Sequence, residues 1–79
     1  MQMIGFKDVN FHTKEGQHII GFKIYYNYEL SGEDGYGLGC ESVFCAQHKI
    51  VGNLHPDSIG NQIDIRYNRF GKVDKIIIL

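Results

Sequence analysis

Strict alternation of apolar and polar residues marks out one strand in this chain. Ile20, Phe22, Ile24, Tyr26, Tyr28 and Leu30 fall on one face, while Ile19, Gly21, Lys23, Tyr25, Asn27 and Glu29 fall on the other. Period two, held over about twelve residues rich in β-branched and aromatic types, predicts a long strand. Such a strand is long enough to curve between two parts of a barrel, with Gly21 as the bend. The preceding run, Met3 to His12, alternates less cleanly. Phe6 followed by Val9 and Phe11 requires a change of face, which predicts a β-bulge near Lys7–Asp8. Thr13-Lys14-Glu15-Gly16 joins the two runs as a hairpin turn, with Gly16 free to take positive φ.

Further along, Ser31 to Gly39 (SGEDGYGLG) reads as a loop whose four glycines surround a lone Tyr36. The run Gly39 to Gln47 resumes as a strand, with Cys40, Ser42, Phe44 and Ala46 on one face and Val43 and Cys45 on the other. From Gln47 to Gly60 the pattern decays into a short helical turn around His48–Leu54 and a turn at His55-Pro56-Asp57-Ser58. Gln62 to Asn68 is the next strand, with Ile63, Ile65 and Tyr67 inward and Asp64 and Arg66 outward. Asn68-Arg69-Phe70-Gly71 fits a type I turn closed by a glycine bulge, and Lys72 to Leu79 forms the last strand. Five short strands and no convincing long helix predict an all-β fold. The expected form is a small five-stranded antiparallel barrel, OB-like with an SH3-like barrel as the alternative, spanning residues 1–79 as one domain.

The final run, Ile76-Ile77-Ile78-Leu79, breaks the alternation by placing apolar side chains on both faces. A strand with one solvated face should alternate. Burial on both sides is hard to achieve inside so short a chain, so a homodimer is expected, with Ile76 and Ile78 at the contact.

Composition narrows the functional classes. An apolar content of 43% suits a folded domain and excludes a disordered one. No apolar run approaches the ~20 residues of a membrane span, and the N-terminus lacks the basic and apolar regions of a secretory signal, so no membrane partner is expected. Cys40 and Cys45 lie on opposite faces of one strand, cannot pair with each other, and fit a reducing, cytoplasmic setting. A net charge of -1 does not indicate a strong global attraction to nucleic acid or anionic lipid, which leaves a local basic patch as the route to either.

Candidate chemistry is sparse. His12, His18, His48, His55 and the two cysteines match no zinc spacing, although His12 and His18 can face each other across the first hairpin. Cys45 and His48 lack a third group to hold a nucleophile against its base. Glu33 and Asp34 sit on a glycine-rich loop without the desolvated pocket that separates two carboxyl pKa values. The loop has neither the phosphate-loop lysine nor the alternating oxygen ligands of a calcium loop. No enzyme activity, metal or cofactor is expected.

The charge is unevenly placed. Residues 60–79 carry Arg66, Arg69, Lys72 and Lys75 against Asp64 and Asp74, a local +2. Residues 29–41 carry Glu29, Glu33, Asp34 and Glu41 with no cation, a local -4. Small barrels bind single strands by combining cations with aromatic stacking platforms. Lys23 and Tyr25 share one face of the long strand. With the last hairpin beside them, Lys23, Tyr25, Arg66, Arg69, Phe70 and Lys72 would form one basic-aromatic surface. The bland alternative is two ordinary solvated strand faces.

The runs IGFKDVNFHTKEG, GFKIYYNYEL, GEDGYGLG and IGNQIDIRYNRFGKV, in this order, give a layout that resembles the small single-stranded-DNA-binding β-barrel proteins of phages and plasmids, in particular the filamentous-phage helix-destabilising type. The resemblance is one of pattern and order, without a diagnostic motif. It implies a dimeric five-stranded barrel in which a loop tyrosine, here Tyr36, and a platform residue, here Tyr25, stack on bases. The acidic loop departs from that pattern, where a DNA-binding wing is neutral or basic. It points to the alternative function, a protein-interaction module that uses the acidic 29–41 segment and exposed strand edges. The leading expectation is non-specific single-stranded nucleic-acid binding through Lys23, Tyr25, Tyr36, Arg66, Arg69, Phe70 and Lys72.

Overall fold

The chain folds into short strands whose pairings were obtained from a computed structural model, which describes residues 1–32 and 35–79. The acidic pair Glu33–Asp34 lies outside the described residues. The strands are β1 (Gln2–His12), β2 (His18–Glu29), β3 (Leu38–Ala46), β4 (Ile50–Val51), β5 (Ile63–Tyr67) and β6 (Val73–Ile78). They form two three-stranded sheets, ordered β1-β2-β3 and β4-β6-β5. The all-β expectation holds, but the five-stranded closed barrel does not. Among the described residues there are six strands, and no strand closes the ring between β3 and β4. The pairing is also not wholly antiparallel, because β4 runs parallel to β6 through Ile50↔Ile76 and Val51↔Ile77. A strand of two residues is too short to carry the ladder on to β3.

One corner does join the sheets. Gln2 bridges Gln62, Met3 N–H donates to Asn61 C=O at 3.0 Å, and Gly60 N–H donates to Met3 C=O at 2.8 Å. This seam sets the start of β1 against the start of β5 and aims Met3 inward.

The β1–β2 register explains the irregular first run. The bulge sits between Met3 and Gly5, not near Lys7–Asp8. Met3 and Phe6 both turn to the core, and residues three apart share a strand face only if one extra residue, Ile4, is inserted between them. With no second irregularity, Val9 and Phe11 keep to the outer face. Thr13–Gly16 turns as expected: Gly16 N–H donates to Thr13 C=O at 3.0 Å, Thr13 N–H donates to Gln17 C=O at 2.8 Å, and Gly16 has φ +83°. The last hairpin repeats this geometry at Asn68–Gly71, where the Asn68 side-chain oxygen also accepts from Phe70 N–H (2.8 Å) and Lys72 N–H (3.1 Å).

The inner face of β2 is as its periodicity predicts, with Ile24 and Tyr26 buried and Phe22 and Tyr28 packed beside them. Ile20 is the exception at 45% exposure, because the second sheet does not reach the hairpin end. The core comprises Met3, Ile24, Tyr26, Cys45, Ile63, Ile65 and Ile76. Burying a side chain of this size contributes about 1.5–3 kcal/mol. Ile76 is fully buried within its own chain, in the core cluster with Ile24, Ile63 and Ile65, and Ile78 is half-buried against that cluster. Ile76 therefore has no side-chain surface left for a subunit contact, while Ile77 is also half-buried and Leu79 is 68% exposed. Tyr67, expected inward, is exposed at the end of β5.

The weakly patterned segment holds a 3-10 turn at Gln47–Lys49 and another at Pro56–Ser58. His55 caps the second, its Nδ1 accepting from Asp57 N–H at 3.1 Å, and the buried Ser58 hydroxyl donates to Asn53 C=O at 2.7 Å. No helix among the described residues is long and apolar enough to cross a membrane.

Candidate functional site

The outer face of the β1-β2-β3 sheet brings cations and aromatics together from three strands. The registers align Lys7, Lys23 and Phe44 in one row and Gly5, Tyr25 and Ser42 in the next. On the other side lie Val9, Gly21 and Ala46, then Phe11 opposite Ile19. All of these point away from the second sheet, which packs on Ile24 and Tyr26 of the opposite face. Phe44 is 41% exposed, Phe11 and Lys7 are exposed, and Lys23 and Tyr25 are half-buried.

Two local features hold these side chains in place. The Lys23 ammonium lies 5.7 Å from the centroid of the Tyr25 ring, within cation–π range. The Phe44 ring rests over Gly21, where a Cβ would come within 2.7 Å of its carbons and 2.5 Å of the Cys45 carbonyl oxygen. Gly21 thus acts as a seat for an aromatic ring. Beside Phe44, an open groove lined by His18, Ile19, Ile20, Ala46 and His48 runs along the hairpin end of this sheet, where side chains of both faces meet.

The other predicted residues lie elsewhere. Phe70 is 73% exposed, with the Arg69 guanidinium 4.9 Å above its ring. Arg66 Nε is bound to Asp64 Oδ2 at 2.8 Å, so part of its charge is already answered. Lys72 is exposed on the same hairpin. This hairpin belongs to the second sheet, away from which Lys23 and Tyr25 point, so the expected single surface is divided between two sheets. Tyr36 is 91% exposed in the glycine-rich loop.

A further cluster occupies the inner face where the first sheet extends past the core. Glu41 accepts from the Tyr26 hydroxyl at 3.1 Å and from the Tyr28 hydroxyl at 3.2 Å. Burial, then the bond to Glu41 and the nearby Tyr67, pushes the Tyr26 phenol up to about 12. Burial and the Glu41 carboxylate raise Tyr28 in the same direction. Tyr26 and Tyr28 are two apart and share a face in the sequence, but their convergence on Glu41 depends on the β2–β3 register.

The reactive side chains are placed for structure. Cys45 is buried, its thiol donates to Ala46 C=O at 3.5 Å, and burial raises its pKa against a smaller lowering by Lys49. A thiol so placed is held away from the reactive thiolate form. Cys40 and Cys45 are both free, the first exposed and the second buried, as opposite faces require. His12 and His18 stack at 4.3 Å across the first hairpin, and His18 Nε2 bonds the Asn10 side-chain oxygen. No group of three or more His, Cys, Asp or Glu side chains gathers to hold a metal among the described residues.

Lys7, Phe11 and Phe44 complete this face, and no pattern along the chain singles them out. Phe44 was legible as a strand residue, but nothing in its neighbours along the chain reveals that its face stays uncovered. Comparison with protein-family models, curated proteins and solved structures finds no match to this chain.

Proposed function

We propose that this protein binds single-stranded nucleic acid non-specifically across the outer face of its β1-β2-β3 sheet. The observation that supports this reading is the uncovered row of Lys7, Lys23 and Phe44 beside Tyr25. Bases stack on Tyr25 and Phe44, which present flat apolar rings on a rigid sheet and need no sequence-specific hydrogen bonds. Lys7 and Lys23 meet phosphates along the same track, and release of condensed counterions supplies the affinity. Arg69 with Phe70, Lys72 and the loop Tyr36 are outlying contacts that a longer strand can reach, and Arg66 is a weaker one because Asp64 already holds it.

Titration of a fluorescent oligonucleotide at two salt concentrations tests the reading. Binding should weaken as salt rises, and Lys7→Ala and Lys23→Ala should each reduce the salt slope by about 1. Phe44→Ala should cost about 1–3 kcal/mol of affinity through lost stacking. Undetectable binding at low salt sinks the proposal. Binding that is unchanged in Phe44→Ala and Tyr25→Ala moves the site to the last hairpin.

A further inference from the structure

The hydrogen bonds of β3 point to a second use of this strand. Leu30 N–H donates to Gly37 C=O at 2.8 Å, and the β2–β3 register then continues unbroken from Glu29↔Leu38 to Gly21↔Ala46. In an antiparallel ladder, hydrogen-bonded and non-bonded pairs alternate. Leu30 and Gly37 are therefore a bonded pair, and Gly39, Glu41, Val43 and Cys45 direct their backbone groups to β2. Leu38, Cys40, Ser42, Phe44 and Ala46 direct theirs the other way, where no strand pairs with β3 among the described residues.

This edge lacks the devices that usually prevent strand addition, namely lysine, proline, bulges or cover. Its only charged residue, Glu41, is bound by two tyrosine hydroxyls on the inner face. The outer edge of β1 is protected by contrast. It has the bulge at Ile4, carries Lys7 and Asp8, and is stitched at its start to residues 60–63. The strand β4 offers only two residues.

We infer that β3 pairs antiparallel with β3 of a second copy, about a two-fold axis at Ser42. The occupant is a second copy because the strand complements itself. With Ser42 opposite Ser42, the outward-directed Cys40 meets the outward-directed Phe44 of the other copy, so bonding groups face bonding groups. Glu41 faces Val43, and no two like charges stand directly opposite. Cys40 to Phe44 of both copies would then exchange about six backbone hydrogen bonds. The two sheets become one of six strands, with both outer faces on the same side. The contact differs from the one expected at Ile76 and Ile78, and it does not rest on nucleic-acid binding, since no ligand enters its test.

Sedimentation of the whole chain over a micromolar concentration series should show a monomer–dimer equilibrium. Ser42→Lys sets like charges opposite each other and should weaken self-association at least about tenfold, with an unchanged circular dichroism spectrum. In a Cys40→Ser background, Ser42→Cys should form an intermolecular disulfide on mild oxidation. Opposed residues of a bonded pair lie about 5.5 Å apart at Cα, within disulfide range. In the unaltered protein Cys40 is offset from its own mate by four residues, roughly 13–15 Å, and should not cross-link. A monomer at every concentration overturns the inference. So does a dimer that survives Ser42→Lys, or one in which Ser42→Cys cross-links no faster than Lys14→Cys at the hairpin tip.

Discussion

The two faces of β2 carry equally regular patterns and meet opposite fates. The inward face buries Ile24 and Tyr26 against Ile63, Ile65 and Ile76. The outward face holds Lys23 and Tyr25 beside an exposed Phe44 and receives no cover from the second sheet. Periodicity separates faces because successive side chains must point to opposite sides of a strand. It does not say how far cover extends along a face. Ile20 shows this: it shares a face with Ile24, yet it lies beyond the reach of the second sheet.

That contrast can be broken by mutation. Ile24→Ala should cost about 2–5 kcal/mol, as the fully buried side chain leaves a cavity. Ile20→Ala, the same substitution on the same face, should cost less than about 1 kcal/mol. Urea unfolding of the two variants measures the difference, and equal losses would mean that the hairpin end is packed as tightly as the core. Gly21→Ala tests the outward face. The added methyl meets the Cys45 carbonyl and the Phe44 ring, so a loss of about 1–3 kcal/mol is expected. A neutral result would show that both the Phe44 ring and the Cys45 backbone give way to the methyl.

A further effect is one of pH. Tyr26 has its ordinary value of 10.0 raised to about 12 in the fold. The unfolded chain therefore loses this proton first. The contribution is fully present below pH 10 and is lost as pH rises toward 12. Stability should fall across this window, and Tyr26→Phe should flatten the fall. An identical pH slope in the variant would show that burial and the bond to Glu41 do not hold the Tyr26 proton in the fold.

The two faces also differ in how much of their chemistry was legible. Lys23 and Tyr25 were readable as outward residues because they lie in one regular strand. Lys7 and Phe44 join them only through pairings with residues 16 and 21 positions away in sequence. The division of the expected surface has the same origin, since no local pattern shows on which side of the first sheet the last hairpin packs. The bulge lies at Ile4 and not near Lys7–Asp8 because Phe6 turns to the core while Val9 and Phe11 take the outer face, which needs no second change of face.

Short-range sterics alone dictate the long strand and its two faces, the separation of Cys40 from Cys45, and both glycine-closed turns, and these can be read along the chain. Thr13–Gly16 and Asn68–Gly71 required only a residue able to take positive φ at the fourth position. Tertiary structure alone decided that Ile76 is central, that β4 pairs in parallel, that the ring stays open at β3, and that one apolar-cationic face is left to solvent. These outcomes depend on which distant segments meet. The same alternating strand serves equally well beneath a second sheet or beside water, and only the reach of that sheet chooses between them.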